Sequence, residues 1–168
     1  MMMPPIHDAR AQRLAPVFLA LVAACSTAAE SVSDYEVTVG VKRYNEALAT
    51  AYARESAEPL AGAATAAEMQ RVDDIVNFLG QGGMTMDARQ ESFDAQKVSV
   101  SADGRATLNS DEVWWYRHWN PATGEVKQAP RRVRYQMHYT LVKDAGRWLV
   151  DRLEETGYKE LAVRADSK

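Results

Sequence analysis

The hydrophobic period of this chain changes once, after Gly83, and that change rules out most architectures. Upstream of it, apolar residues recur at helical spacing. Val37, Val41, Tyr44, Leu48 and Ala51 follow one another at intervals of four, three, four and three, which places them on one helix face. Ser33-x-x-Glu36 just ahead of them matches a capping box, and Gly40 weakens the helix locally without ending it. Pro59, Leu60 and the alanine-rich stretch 61–67 read as a short helix or a turn. Thr65-x-x-Glu68 is a second capping box, opening a helix with the apolar face Met69, Val72, Ile75, Val76 and Leu79. Gly80, Gly82 and Gly83 stop it.

Downstream the period is two, the mark of strands. Met84 to Met86 begins an extended segment, and Lys97-Val98-Ser99-Val100-Ser101 alternates cleanly. Asp103-Gly104 is a hairpin turn, from which a strand starting at Arg105 runs into Trp114-Trp115-Tyr116-Arg117-His118-Trp119. Asn120 to Gly124 breaks it with turn chemistry. Val133, Tyr135, Met137, Tyr139 and Leu141 then alternate with Arg132, Arg134, Gln136, His138 and Thr140, giving one apolar and one polar face. Asp144-Ala145-Gly146 turns the chain into Arg147-Trp148-Leu149-Val150-Asp151. Helices first and a strand meander after them predict an α+β fold, with the N-terminal helices packed on a curved antiparallel sheet.

The N-terminus carries an address. Arg10 and Arg13 precede the apolar run Leu14–Ala24, which fits the roughly 7–15 residues of a signal-peptide core. It falls short of the ~20 that span a bilayer. Val22-Ala23-Ala24-Cys25 resembles the bacterial lipobox, in which small residues admit the peptidase and the cysteine thiol takes the diacylglyceryl group. The expected division is a cleaved signal peptide over 1–24, a lipidated N-terminus and tether over 25–35, an α+β cone over 36–157 and a tail over 158–168. Acylated Cys25 would anchor the chain durably in the lipid bilayer. Ser26 after the cysteine points to the outer membrane, facing the periplasm, if the host is Gram-negative.

Charge and cysteine usage narrow the function. The net charge is −3, and loss of Arg10, Arg13 and Asp8 with the signal peptide makes it one unit more negative. That argues against nucleic acid, whose affinity comes mainly from Lys and Arg on phosphates. A single cysteine gives no disulfide framework. Beyond the signal segment only His118 and His138 remain as histidines, with no Cys pair, so neither a metal nor another cofactor is implied.

The order of elements is joined by two particular stretches, Val41-Lys42-Arg43-Tyr44-Asn45-Glu46-Ala47-Leu48 and Tyr139 through Gly146-Arg147-Trp148-Leu149-Val150-Asp151. Together they resemble the nuclear transport factor 2-like superfamily, the cystatin-like cone, over roughly residues 36–155. Within it the chain is similar to the intermembrane-space domain of cyanobacterial and plastid division proteins and its bacterial relatives. Glu68-Met69-Gln70-Arg71-Val72 and Glu112-Val113-Trp114-Trp115-Tyr116 carry that likeness. Such motifs are mostly structural, so the resemblance implies a cone without handing over an active site. The superfamily includes ketosteroid-isomerase-type enzymes, which set a carboxylate base and hydrogen-bond donors in the cone. A comparable set here would draw on Tyr44, Tyr52, Asp111, Tyr116 and His138. The structural reading of those residues puts Tyr44 in the core and His138 in solvent.

Trp114, Trp115, Tyr116 and Trp119 concentrate aromatic area on one strand. Alternation puts Trp114 and Tyr116 on one face and Trp115 and Trp119 on the other. One pair fills the core. The other, with Arg132 and Arg134 across the hairpin, reads either as internal packing or as a contact patch for a protein partner in the envelope. Arg131 and Arg132 read equally as a solvated edge that discourages sheet aggregation. The leading expectation is a membrane-anchored lipoprotein with a non-catalytic domain that binds a protein partner or a small apolar ligand. The alternative is a small-molecule isomerase or dehydratase in the cone cavity, and a third reading is a purely structural envelope component. A homodimer through the sheet is a further expectation.

Overall fold

The computed structural model describes residues 23–163, with side-chain surroundings from Ser33 onward. The signal peptide expected over 1–24 falls almost wholly outside these residues, as does the side chain of Cys25. Helix α1 spans Ala23–Arg54, a single 3-10 turn covers Glu58–Leu60, and helix α2 spans Ala66–Gln81. Four strands follow: β1 Thr85–Val100, β2 Arg105–Trp119, β3 Val126–Asp144 and β4 Arg147–Leu161. They form one antiparallel meander in the order β1-β2-β3-β4. The fold is the α+β arrangement expected from the change of period. No described helix is long and apolar enough to cross a membrane.

Two boundaries differ from expectation. Helix α1 begins at Ala23, so Ser33 lies inside it and does not cap it. Alanines and Glu30 in the intervening stretch are good helix formers and let the helix continue N-terminally. At the other end β4 runs to Leu161, into the segment expected to be a tail, because β3 is long enough to pair Arg132 with Leu161. The second capping box holds by half. Thr65 Oγ1 accepts from the Glu68 amide at 3.4 Å, but the Glu68 side chain turns into the core.

The predicted helix faces are the buried ones. Val37, Val41, Tyr44, Leu48 and Ala51 of α1 pack with Leu108, Tyr139, Leu141, Trp148 and Val150 of the sheet. Each fully buried Val or Leu contributes roughly 1.5–3 kcal/mol over an exposed one. Gly40 is where α1 comes closest to β4. A Cβ built there would lie 3.1 Å from Trp148 Cβ and 3.2 Å from the Trp148 carbonyl oxygen. One turn on, Arg43 donates to that same carbonyl at 2.8 Å, locking helix to strand. The start of α2 is stitched to β4 by the Thr65 amide on the Val150 carbonyl (2.9 Å) and the Val150 amide on the Ala63 carbonyl (3.0 Å).

The register sorts the strand side chains. Leu108 stands opposite Tyr139, Glu112 opposite Tyr135 and Trp114 opposite Val133. These residues face the helices. Asn109, Asp111, Val113 and Trp115, opposite His138, Gln136, Arg134 and Arg132, occupy the outer face. Register shifts in β1 at Gln90/Ser92 and Ala95/Lys97 mark bulges, which add twist and bend the sheet around its cover.

Candidate functional site

The helices cover the concave face incompletely, leaving an open cavity of about 350 Å³ between the second half of α1, the outer half of α2 and the sheet. Its apolar wall includes Leu48, Ile75, Leu79, Met86, Met137 and Leu153. The period of α2 explains two of these: Val72 and Val76 are buried, while Ile75 and Leu79 stay half-buried and line the opening. Aromatic residues complete the lining, with Tyr52 from α1, Trp114 and Tyr116 from β2, and Tyr135 and Tyr139 from β3.

Glu112 lies at the boundary of this cavity and is wholly buried. Its Oε1 accepts from Ser110 Oγ and from the Tyr139 hydroxyl, each at 2.6 Å. Its Oε2 accepts from Trp114 Nε1 at 2.7 Å, Gln90 Nε2 at 2.8 Å and Asn45 Nδ2 at 3.3 Å. A carboxylate offers about four lone-pair sites, so these donors leave none for a substrate. Every donor is neutral, and none of the described ion pairs includes Glu112. Hydrogen bonds, and no described ion pair, therefore compensate the burial of this carboxylate. Tyr139 also donates toward Asn45 Oδ1 at 3.1 Å, closing the network.

A second buried carboxylate lies beneath the first network. Glu68, almost fully buried, accepts the Tyr44 hydroxyl and a two-pronged contact from Arg71: Nε to Oε2 at 2.8 Å and Nη2 to Oε1 at 2.6 Å. Tyr44 and Tyr139 meet edge to face with centroids 6.3 Å apart, so the two networks touch through their rings. Burial, and then the Glu68 charge, push the Tyr44 hydroxyl far above its ordinary value. Burial and Glu112 do the same to Tyr139.

The mouth is ringed by Tyr116, Tyr135 and His118. The two tyrosine hydroxyls lie 3.3 Å apart, and Arg131, paired with Glu160, stands over the Tyr116 ring at 5.7 Å. His118 stacks edge-on to Tyr116 at 5.9 Å, and its Nδ1 is buried without a partner. Desolvation first, and Arg131 second, lower its pKa from 6.5.

Trp114, Trp115, Tyr116, Trp119, Arg132 and Arg134 fall on two faces of the sheet, as alternation along the strands requires. Trp114 and Tyr116 line the cavity, as the alternation placed them together. Trp115 is on the outer face but only 9% exposed, with the Arg89 and Arg117 guanidiniums over its ring at 5.2 and 6.0 Å. Arg132 pairs with Glu91 at 2.5 Å and Arg134 with Asp111 at 3.5 Å. Trp119 is half-buried at the end of β2. The isomerase-like set does not converge either. Tyr52 and Tyr116 reach the cavity and Tyr44 is committed to Glu68, whereas Asp111 and His138 lie on the opposite face of the sheet. Glu112 and Asn45 fall in the stretches that carry the family likeness, but neither they nor Gln90 are among the site residues the sequence suggests. The signal for Glu112 was an acidic residue in phase with Leu108, Trp114 and Tyr116 on an inward face.

No family model matches the chain, and no curated protein matches it in sequence. Among solved structures it is similar to the intermembrane space region of chloroplast protein ARC6, with a TM-score of 0.63 at 16% identity, covering 73% of this chain and 95% of that one. The two share one fold. It is the α+β arrangement of helices packed on a curved antiparallel sheet that the sequence leads one to expect. A ketosteroid isomerase-like protein from Erwinia carotovora atroseptica is similar at 15% identity and a TM-score of 0.48, over 78% of this chain and 98% of that one.

Proposed function

We propose that this chain is a membrane-anchored envelope lipoprotein whose cone is a non-catalytic binding domain for a small apolar ligand. The observation that carries the binding reading is Glu112. Among the described residues it is the only carboxylate lining the cavity, and its lone pairs are filled by donors of its own chain. A general base must come within hydrogen-bond reach of the proton it removes, with a lone pair to receive it. What remains is an apolar, open space of about 350 Å³, at the lower end of the size of small-molecule pockets. The outer-face Trp115 and Arg132 are engaged within the chain, which favours the concave side for an occupant.

Binding is tested by titrating the tryptophan fluorescence with a small uncharged, largely apolar probe, 1-aminonaphthalene. Saturable quenching is expected in the wild type, and its loss in Leu79→Arg with an unchanged melting temperature. Equal binding by the variant would place the probe elsewhere and overturn the reading. Anchoring rests on the lipobox-like Val22–Cys25. Cys25→Ser should abolish lipid labelling and release the protein to the soluble fraction; retained membrane attachment would contradict a lipoprotein.

A further inference from the structure

We infer that, given the cavity-binding reading above, the preferred ligand carries a methylated, quaternary ammonium head on a short apolar body. Glu112 brings a buried negative charge to the cavity with no cation of the chain paired to it among the described residues. In low-dielectric surroundings the field of such a charge is weakly screened and reaches the adjoining space. Among the described residues no lysine or arginine lines the cavity to cancel it, and Arg131 at the mouth is held by Glu160. His118 is disfavoured as a cation by its burial and by Arg131, so it adds no opposing charge near neutral pH.

The walls suit the same sign. Tyr52, Trp114, Tyr116, Tyr135 and Tyr139 present aromatic rings, whose faces carry partial negative charge and attract organic cations. The saturation of Glu112 then chooses among cations. A primary ammonium brings three N–H donors that need acceptors. Glu112 has no lone pair to offer them, so its attraction acts only through space. A quaternary head has no donors to satisfy and presents methyl groups to Leu48, Leu79 and Met137. At about 30 Å³ for each water-sized group, the cavity of about 350 Å³ takes roughly a dozen non-hydrogen atoms.

Octyltrimethylammonium has that size and separates the alternatives when compared with octylammonium, 1-octanol and octanoate by calorimetry below their aggregation concentrations. The quaternary cation is expected to bind about tenfold tighter than either octylammonium or octanol, with octanoate weakest. Glu112→Gln should bring the ratio of quaternary cation to octanol toward one, and the wild-type series decides by itself if that variant does not fold. Octanol, octylammonium or octanoate binding as tightly as the quaternary cation overturns the charge preference and leaves the apolar site standing. Failure of all four to bind overturns both readings. Retention of octyltrimethylammonium by Leu79→Arg shows binding outside the cavity and overturns the assignment.

Discussion

The Tyr139 hydroxyl donates to Glu112 at 2.6 Å, and this bond joins β3 to β2 across the boundary between core and cavity. The same hydroxyl reaches Asn45 of α1 at 3.1 Å, so a single oxygen connects two strands and a helix. Tyr139→Phe keeps the ring and removes the hydroxyl, leaving a buried carboxylate with one donor fewer. A loss of about 1–3 kcal/mol is expected. Urea unfolding monitored by circular dichroism checks it, with a lower midpoint and an unchanged slope. A loss below about 0.5 kcal/mol would show that water replaces the hydroxyl at no cost.

Gly40 tests how tightly helix and sheet are joined. Alanine is the better helix former by about 1 kcal/mol. The new methyl would nevertheless lie 3.1 Å from Trp148 Cβ and 3.2 Å from its carbonyl oxygen, pushing α1 off β4. Overpacking of this kind costs about 1–3 kcal/mol, so Gly40→Ala should be destabilising by about 1 kcal/mol net. A gain in melting temperature would mean that the helix shifts freely.

Alkali should unfold this protein through its buried and half-buried tyrosines. Tyr44, Tyr52, Tyr135 and Tyr139 all have raised pKa values, with burial as the largest cause in each. A tyrosine ionises in the unfolded chain near its ordinary 10.0 while the folded chain keeps the proton. The folded state then binds more protons than the unfolded state, so stability falls as pH rises. Stability is expected to be insensitive to these groups below pH 10 and to drop steeply above it. Urea midpoints across that range check this, and Tyr44→Phe should make the drop shallower.

Trp115 separates packing from display. Only 9% exposed and covered by Arg89 and Arg117, it should cost about 3 kcal/mol on replacement by alanine. A free binding residue on the surface would give a change within about 0.5 kcal/mol. Thermal melting of Trp115→Ala distinguishes the two.

The strand motif Glu112-Val113-Trp114-Trp115-Tyr116 shows how far local pattern reaches. Alternation alone placed Trp114 with Tyr116, and both line the cavity. It said nothing of Glu112 accepting from Gln90 on β1, Asn45 on α1 and Tyr139 on β3, because those donors are remote in sequence. Likewise Thr65-x-x-Glu68 correctly marked the start of α2, yet the Glu68 carboxylate left the cap for Tyr44 and Arg71. Arg71 lies one turn along the same helix, whereas the Tyr44 hydroxyl comes from α1 and is delivered only by tertiary packing.

By itself the sequence determined the elements and their faces, since a period of 3.6 or 2 is a property of neighbouring residues and survives in any packing. The helix face from Val37 to Ala51, the turns at Gly104 and Gly146 and the inward side of β3 were all of this kind. Tertiary structure decided what those faces meet. It set Gly40 against Trp148, turned the arginines of the outer face onto Trp115 and acidic neighbours, and brought Asn45, Gln90 and Tyr139 to Glu112. Burial makes an unmet polar group costly, and only the folded chain has the partners that meet it.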